Sequence, residues 1–236
     1  MNKIIFKLHF VCFIFISFLI NGPAFAQSDE IKRPKIGLVL SGGGARGAAH
    51  VGVLKILEEN HIAIDMIAGT SFGAIVGGLY AAGYSADQLE DILKNIDWQE
   101  TLSNSAPRKH RSFRRKADDD GFLIKFKIAF QNGEFNLPNG FITPNNLRLT
   151  LGDLINKRVQ GDDFDKLAIP FRAVATDLET GEEVVLKEGN LASAIVASMA
   201  VPALFPPVEL NGKLLVDGGI ANNIPINIAR SMGADI

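Results

Sequence analysis

Apolar positions occur along this chain in short runs, each followed by a stretch in which they recur at helical spacing. Residues 36–40 form an apolar run that predicts a buried strand, and a glycine-rich turn follows it. Val51, Leu54 and Leu57 then fall on one face of a helix predicted from about 46 to 59. The folded part of the chain is therefore expected to begin with a strand, a loop and a helix.

The same order recurs directly afterwards. A second short strand is predicted to end at Ser71, and residues 72–83 continue as a helix of small residues that can pack closely on a sheet. Gly83 is predicted to end this helix, and Ser85 to cap the next one, which runs to Ile96.

Strands and helices also alternate in the second half. A helix is predicted from Pro144 to Ile155, and strands are predicted within 171–180 and 182–189. A further helix is expected to end before Pro202, and a last strand to close on Asp217. This alternation predicts an α/β fold: a three-layer α/β/α sandwich around a mainly parallel sheet.

The first 26 residues differ from the rest. Lys3 and Lys7 precede an apolar run, and small residues follow it up to Ala26. This pattern predicts a secretory signal peptide and export through the inner membrane; a membrane anchor is the alternative, although the run is short for a full span. The expected organisation is a signal peptide at 1–26, a leader at 27–34 and a folded domain at 35–236.

Composition narrows the chemistry after such processing. The only cysteine, Cys12, lies in the predicted signal peptide, so the mature domain would hold no disulfide, cysteine nucleophile or thiolate metal site. Removing Lys3 and Lys7 from the 24 basic residues leaves 22 against 26 acidic ones, a net charge of −4. Nucleic acid is a poor partner for such a chain, and export argues against a cytoplasmic ATP- or NAD-dependent reaction.

The segment 108–141 has a different character. Six cations lie between Arg108 and Lys116, and an alternating apolar strand from Phe122 to Phe130 then leads to a hairpin turn at Asn132-Gly133. Together they could contact an anionic membrane surface. A basic run is more often solvated, and an alternating strand is equally typical of a core or of a subunit interface, so a homodimer stays open.

Residues 42–47 read Gly-Gly-Gly-Ala-Arg-Gly and match the dinucleotide pattern G-x-G-x-x-G between a strand and a helix. A dinucleotide site also needs an acidic residue at the end of the second strand, whereas Asp65 begins that strand. We favour instead an oxyanion hole, because glycine amides at a helix N-terminus attract developing negative charge. The expected donors and supporting residues are Gly42, Gly43, Gly44, Arg46 and Gly47, with Arg46 holding the loop or a phosphate.

The stretch "GTSFG" presents a serine between two glycines. Gly69, Ser71 and Gly73 match G-x-S-x-G, with a predicted strand before and a helix after, which is the setting of a nucleophile on a sharp turn. A small-residue turn can also serve packing alone. Ser71 is the candidate nucleophile.

The base for such a serine is sought by elimination. A hydrolase triad usually places a histidine last, but the mature chain contains only His50, His61 and His110, and none follows Asp217. His50 is expected to support the glycine loop, His61 to lie on the surface, and His110 to be solvated in the basic run.

A carboxylate at a strand end is the remaining candidate. Asp217 ends a buried apolar run and precedes Gly218 and Gly219, which open the backbone beside it. A lone aspartate there is more often a cap or turn residue. Its conjunction with a glycine loop and a serine elbow is much rarer, and a carboxylate within hydrogen-bond reach can take the serine proton.

These motifs resemble the patatin-like phospholipases. "GGGARG", "GTSFG" and "DGG" stand in that family's order, with "ASMAVPALFPPV" before the last strand and "NNIP" after it, over about 35–236. The resemblance implies a Ser71–Asp217 dyad, an oxyanion hole at Gly42 to Gly44, and lipid acyl hydrolysis of the phospholipase A type without metal or organic cofactor. A general carboxylesterase or thioesterase, and a non-catalytic phosphoinositide- or nucleotide-binding module, remain the alternatives.

A narrower likeness is to bacterial secreted members of the autotransporter type, in which a signal peptide and a patatin-like domain precede a periplasmic module and an outer-membrane barrel. "SFRRKADDDGFLIKFKI" and "FRAVATDLETGEEVVL" are similar to that subgroup. It implies a secreted or surface location. The chain stops at "GADI", where a strand would be expected to begin, which suggests the N-terminal piece of a longer protein.

Overall fold

The structure is a computed structural model that describes residues 33–102, 129–131, 134–136 and 144–236. The predicted signal peptide, the basic run with His110 and most of the alternating strand lie outside these residues. Pro34–Ile236 form one compact unit. Its described strands are β1 (Gly37–Leu40), β2 (Met66–Thr70), β3 (Ala129–Gln131), β4 (Glu134–Asn136), β5 (Phe171–Asp177), β6 (Glu183–Leu186), β7 (Val208–Leu210) and β8 (Lys213–Asp217).

Seven α-helices lie in the described part of the chain, and short 3-10 turns at Gly44–Ala48, Phe164–Lys166 and Gly218–Ile220 connect elements. The helices are α1 (Ala49–Glu59), α2 (Phe72–Ala81), α3 (Ala86–Asn95), α4 (Trp98–Thr101), α5 (Asn145–Ile155), α6 (Leu191–Ser198) and α7 (Ile226–Ser231). The predicted helices are present. The one expected to end before Pro202 stops at Ser198, because Met199 already leaves helical geometry.

The α/β fold class is confirmed, but the sheet is mixed rather than mainly parallel. β1, β2 and β5 run parallel, whereas β6 and β8 both pair antiparallel with β5, and β7 pairs antiparallel with β8. β5 is long enough to pair with β2 along its first half and with β8 along its second half. The serine turn after β2 and the aspartate that ends β8 therefore lie beside the same strand.

Helices cover both faces of the sheet. The larger core lies under α1, α2, α3, α5 and α6, and contains fully buried Leu54, Ile75, Leu79 and Ile195. A smaller core on the other face joins Ile228 and Ala229 of α7 to Ala68 and Val174. This smaller core stabilises, from the opposite face of the sheet, the strands that carry the site.

Local signals are confirmed at several boundaries. Ser85 accepts a hydrogen bond from the Gln88 backbone amide, and Gln88 accepts one from the Ser85 amide, so α3 begins with a capping box. β3 and β4 pair antiparallel on either side of Asn132-Gly133, as the hairpin signal predicted. The last residue, Ile236, donates to the Lys35 carbonyl and accepts from the Gly37 amide, beside β1. In the described ranges, every helix is too short or too polar to cross a bilayer.

Candidate active site

Ser71 occupies a sharp turn between β2 and α2. Its backbone has φ 54° and ψ −122°, a conformation that costs a non-glycine residue of order 1–3 kcal/mol. Gly69 and Gly73 make the turn possible: a Cβ on Gly69 would lie 2.6 Å from the Gly73 carbonyl oxygen, and one on Gly73 would overlap the Leu40 carbonyl. The turn leaves the Ser71 hydroxyl at the N-terminus of α2, where the helix dipole favours negative charge.

Asp217 meets this hydroxyl from β8. The Ser71 Oγ donates to Asp217 Oδ2 at 2.6 Å, although the two residues are 146 positions apart in the chain. The other carboxylate oxygen, Oδ1, accepts from the Gly219 amide at 2.7 Å. Both residues are nearly buried, with 8% of Ser71 and 7% of Asp217 exposed, so water competes little with this pair.

The backbone of Asp217 is held on both sides. Its amide donates to the Ala200 carbonyl at 2.9 Å, and its carbonyl accepts from the Thr176 hydroxyl at 2.9 Å. Gly218 lies so close to β5 that a Cβ there would overlap the Val174 carbonyl. These contacts fix the direction of the carboxylate without using its Oδ2 atom.

Ser198, at the end of α6, supports the Ser71 turn through hydrogen bonds of its hydroxyl. It is fully buried; its Oγ accepts from the Ser71 backbone amide at 2.9 Å and donates to the Val174 carbonyl at 2.5 Å. Sequence reasoning missed this residue. The one signal for it in the sequence was that Ser198 belongs to "ASMAVPALFPPV", a stretch that resembles the patatin-like phospholipases.

The structure reduces the number of glycine amides that are free to form the expected oxyanion hole. The Gly42 amide donates to Asn223 Oδ1 at 3.1 Å and is therefore not a free donor here. Gly43 and Gly44 are exposed, and no acceptor in the described ranges pairs with their amides. Gly44 has φ 56°, which a residue with a Cβ rarely adopts.

Gly47 and Arg46, which belong to the same loop, have different surroundings. Gly47 is buried, and a Cβ there would lie 2.7 Å from the Phe72 ring, so this glycine allows close packing of the loop against Phe72, and its assignment to the oxyanion hole stays a prediction. The Arg46 residue is exposed, does not line the cavity over Ser71, and contacts no acidic side chain among the described residues. Its expected part, holding the loop or a phosphate, stays a prediction.

Two histidines, His50 and His61, lie among the described residues. The His50 ring nitrogen Nε2 is 2.9 Å from the Ser41 carbonyl, which supports the start of the glycine loop as expected. His61 is exposed just after α1. Neither stands between Ser71 and Asp217, whose oxygens are in direct contact.

An apolar cavity of about 400 Å³ opens over Ser71. Its wall is made of hydrophobic side chains with glycine and alanine at the loop: Gly44, Ala45, Ala48, Phe72, Leu93, Trp98, Leu102, Met199, Val201, Leu204 and Phe205. Val201 and Leu204 are 40% and 42% exposed, which places them at its rim. A hydrocarbon group attached to a carbonyl at Ser71 would find apolar surface here, whereas a charged group would not.

The arrangement has the parts of a nucleophilic acyl-transfer site. It combines a hydroxyl with a paired carboxylate, glycine amides beside it, and an apolar cavity. Among the described residues, no group of three or more His, Cys, Asp or Glu side chains is placed to hold a metal ion.

Comparison with known proteins agrees with the motifs. The sequence model of a family described as Patatin-like phospholipase matches residues 38–230. A Patatin-like phospholipase domain-containing protein of Caenorhabditis elegans is 35% identical over 201 residues, covering 84% of this chain and 13% of that protein. An NTE family protein of Mycobacterium tuberculosis is 34% identical over 218 residues, covering 91% of this chain and 51% of that protein. The chain thus spans about half of the second relative, and much less of the first.

Among solved structures, VipD from Legionella pneumophila is similar with a TM-score of 0.52 at 17% identity, covering 81% of this chain and 47% of that one. At such low identity the likeness concerns the fold. It agrees with a mixed sheet that carries helices on both faces.

Proposed function

The chain belongs to the patatin-like phospholipase family, and from this premise we propose that it hydrolyses acyl esters of glycerophospholipids in the manner of a phospholipase A. The observation that carries the proposal is the 2.6 Å hydrogen bond from Ser71 Oγ to Asp217 Oδ2 in a nearly buried setting. A hydroxyl so paired can lose its proton to the carboxylate while its oxygen attacks a carbonyl carbon.

In the proposed first step, Ser71 Oγ bonds to the ester carbonyl carbon and its proton passes to Asp217. The carbonyl oxygen becomes an oxyanion, and we assign its stabilisation to the Gly43 and Gly44 amides; losing one such donor typically costs about 10²–10³ in turnover. The tetrahedral intermediate collapses, the carbon–oxygen bond to the glyceryl group breaks, and that leaving oxygen takes the proton from Asp217.

In the second step, water attacks the acyl-Ser71 ester. Asp217 accepts the water proton and returns it to Ser71 Oγ as the fatty acid leaves. The cavity over Ser71 supports an acyl substrate because it would remove the hydrocarbon chain from water, at about 0.8 kcal/mol for each buried methylene.

Covalent labelling tests the proposal. A fluorophosphonate probe should label the intact chain and fail to label Ser71→Ala, and phosphatidylcholine hydrolysis should fall by roughly 10³-fold or more in Ser71→Ala and in Asp217→Asn. Asp177→Asn is the matched control: Asp177 is also buried at a strand end but pairs with Lys213 at 2.9 Å, so its loss should cost stability and spare hydrolysis.

The outcomes also separate the alternatives. Equal rates on monomeric and aggregated esters would favour a general carboxylesterase or thioesterase. Phosphoinositide binding that survives Ser71→Ala, together with no labelling of the intact chain, would favour a non-catalytic module and overturn the proposal.

Export is a second proposal, made on the sequence of residues 1–26. Mass spectrometry of the protein recovered outside the inner membrane should give a mature N-terminus at Gln27. Recovery of the uncleaved chain from the membrane fraction would contradict it. Kinship with the autotransporter subgroup, a homodimer and membrane contact through 108–141 stay predictions.

A further inference from the structure

A second cavity of about 270 Å³ adjoins the one over Ser71. It lies between the α1 and α3 helices. Ala48, Val51, Gly52 and Lys55 line it from one side, and Glu90, Leu93 and Lys94 from the other. At 1.5 Å per helical residue, the wall from Ala48 to Lys55 runs for about 10 Å away from the active site.

The two cavities have two wall residues in common. Ala48 and Leu93 line both of them, so the two cavities lie next to each other at an exposed alanine and a half-buried leucine. The first cavity, at about 400 Å³, is near the small end of the roughly 300–1,000 Å³ found for ligand sites. A long chain bound at Ser71 would fill it and continue past Ala48.

The charged residues of the second cavity are already paired. Lys55 Nζ lies 2.7 Å from Asp87 and 2.6 Å from Glu90, and Lys94 Nζ lies 2.8 Å from Glu90. The ammonium groups are therefore occupied by carboxylates, which leaves the aliphatic stems of the lysines as wall. A phosphate would have to displace Glu90, whereas a hydrocarbon chain needs only the apolar surface.

We propose that the second cavity binds the distal part of a long acyl chain whose ester carbonyl lies at Ser71, so that the two cavities together set chain-length preference. This inference rests on the proposed function, because it assumes that an acyl group occupies the first cavity. It makes Gly52 a specificity-determining position far from the Ser71–Asp217 pair.

Gly52 allows a clean test. A Cβ at Gly52 meets no heavy atom within 4 Å, and the residue lies inside α1 on the cavity wall, so Gly52→Leu fills the second cavity with a good helix former. Gly152→Leu is the matched control, because Gly152 is a helical glycine of α5 with the same open space and does not line either cavity.

Hydrolysis of p-nitrophenyl esters in mixed micelles gives the first readout. Gly52→Leu should lower kcat/KM for the palmitate by roughly tenfold or more while leaving the butyrate unchanged, since lost methylene contacts change discrimination on this scale. Gly152→Leu should match the parent chain on both esters. Equal loss on both esters, or no loss on either, would overturn the inference.

Binding without chemistry gives the second readout. Calorimetry of palmitate and octanoate on Ser71→Ala, with and without Gly52→Leu, should show palmitate alone weakened by the added leucine. Equal palmitate affinity in the two variants would contradict the second cavity as an acyl site, even if the chain hydrolysed no ester. An inactive parent chain with chain-length-dependent binding would instead count against the proposed function alone.

Discussion

The buried hydroxyl of Ser198 holds the backbone amide of Ser71 at 2.9 Å, across 127 positions of the chain. The amide belongs to a residue in an unfavourable conformation, at φ 54° and ψ −122°. Because the same hydroxyl also donates to Val174 in the sheet, it ties the turn to β5. Ser198 is thus a positioning residue for the candidate nucleophile.

Ser198→Ala should lower both stability and turnover. The substitution leaves the Ser71 amide and the Val174 carbonyl without this buried partner, at a cost of about 1–3 kcal/mol in the free energy of unfolding. We expect kcat to fall with little change in KM, because the turn loses its support while the cavity is unchanged. Urea unfolding and ester kinetics measure the two effects.

Ser193→Ala is the control for Ser198, since it makes the same change earlier in the same helix. It should leave kcat as in the parent chain. If Ser198→Ala lost stability but kept full kcat, the residue would be purely structural and the positioning role would be wrong.

The strain at Ser71 predicts an unusual order of stabilities. Ser71→Gly and Ser71→Ala both remove the hydroxyl, but only glycine adopts φ 54° with ψ −122° freely. Relief of roughly 1–3 kcal/mol of strain exceeds the added flexibility of unfolded glycine, so Ser71→Gly should be about 1 kcal/mol more stable than Ser71→Ala. Thermal unfolding followed by circular dichroism checks the difference.

Ser193 again provides the control. There the glycine variant should be less stable than the alanine variant. Ser193 lies inside α6, where glycine is about 1 kcal/mol worse than alanine. If the alanine variant were more stable than the glycine variant at position 71 as well as at position 193, the Ser71 turn would store no strain.

Alanine substitutions at Gly42 and Gly43 should have different effects on turnover, because a side chain clashes with its neighbours only at Gly42. A Cβ on Gly42 would lie 2.7 Å from Asn223 Oδ1 and 3.0 Å from Ser71 Cβ, so Gly42→Ala should displace the loop and lower kcat by roughly tenfold or more. At Gly43 the nearest atom is 3.8 Å away and φ is extended, so Gly43→Ala keeps the amide without a clash.

Steady-state hydrolysis of a short-chain ester is the measurement for both variants. Gly43→Ala should retain the parent kcat within a few-fold. Equal losses in the two variants would mean that the loop tolerates no side chain at all, and that the Gly42–Asn223 contact has no special part.

The charge cluster between α1 and α3 predicts a stability change in acid. Hydrogen bonds from Lys55, and then from Lys94, lower the pKa of the Glu90 carboxyl from 4.5 to about 2. A depressed pKa in the folded state stabilises the protein above the unfolded value, and this contribution is lost as pH falls from about 4.5 towards 2. The stability difference between the parent chain and Glu90→Gln should therefore shrink over that window.

Urea unfolding at several pH values between 7 and about 2.5 measures this difference. Asp91→Asn serves as the control, because Asp91 is next in the same helix and makes no ion pair with any described cation. A gap between the parent chain and Glu90→Gln that stayed constant throughout would show that the pairing contributes nothing to stability.

Local patterning determined much of the fold. Helical periodicity located α1, a serine before a helical run located the start of α3, and an apolar run ending in aspartate located β8. Each signal lies within a few residues, because helix faces, caps and strand ends are decided by near neighbours. The candidate pair Ser71 and Asp217 could be singled out for the same reason: each stands at the end of its own apolar strand.

Other features were decided only when distant segments met. The antiparallel pairing of β8 with β5 brings Asp217 to Ser71, the Ser198 hydroxyl reaches the Ser71 amide, and Asn223 takes the Gly42 amide from 181 positions away. Buried donors and acceptors must find partners wherever packing places them, and no local pattern states which residue that will be. The sequence by itself thus determined which residues are candidates for the reaction, whereas the tertiary structure decided which of the loop amides have partners among the described residues and how far the apolar cavity extends.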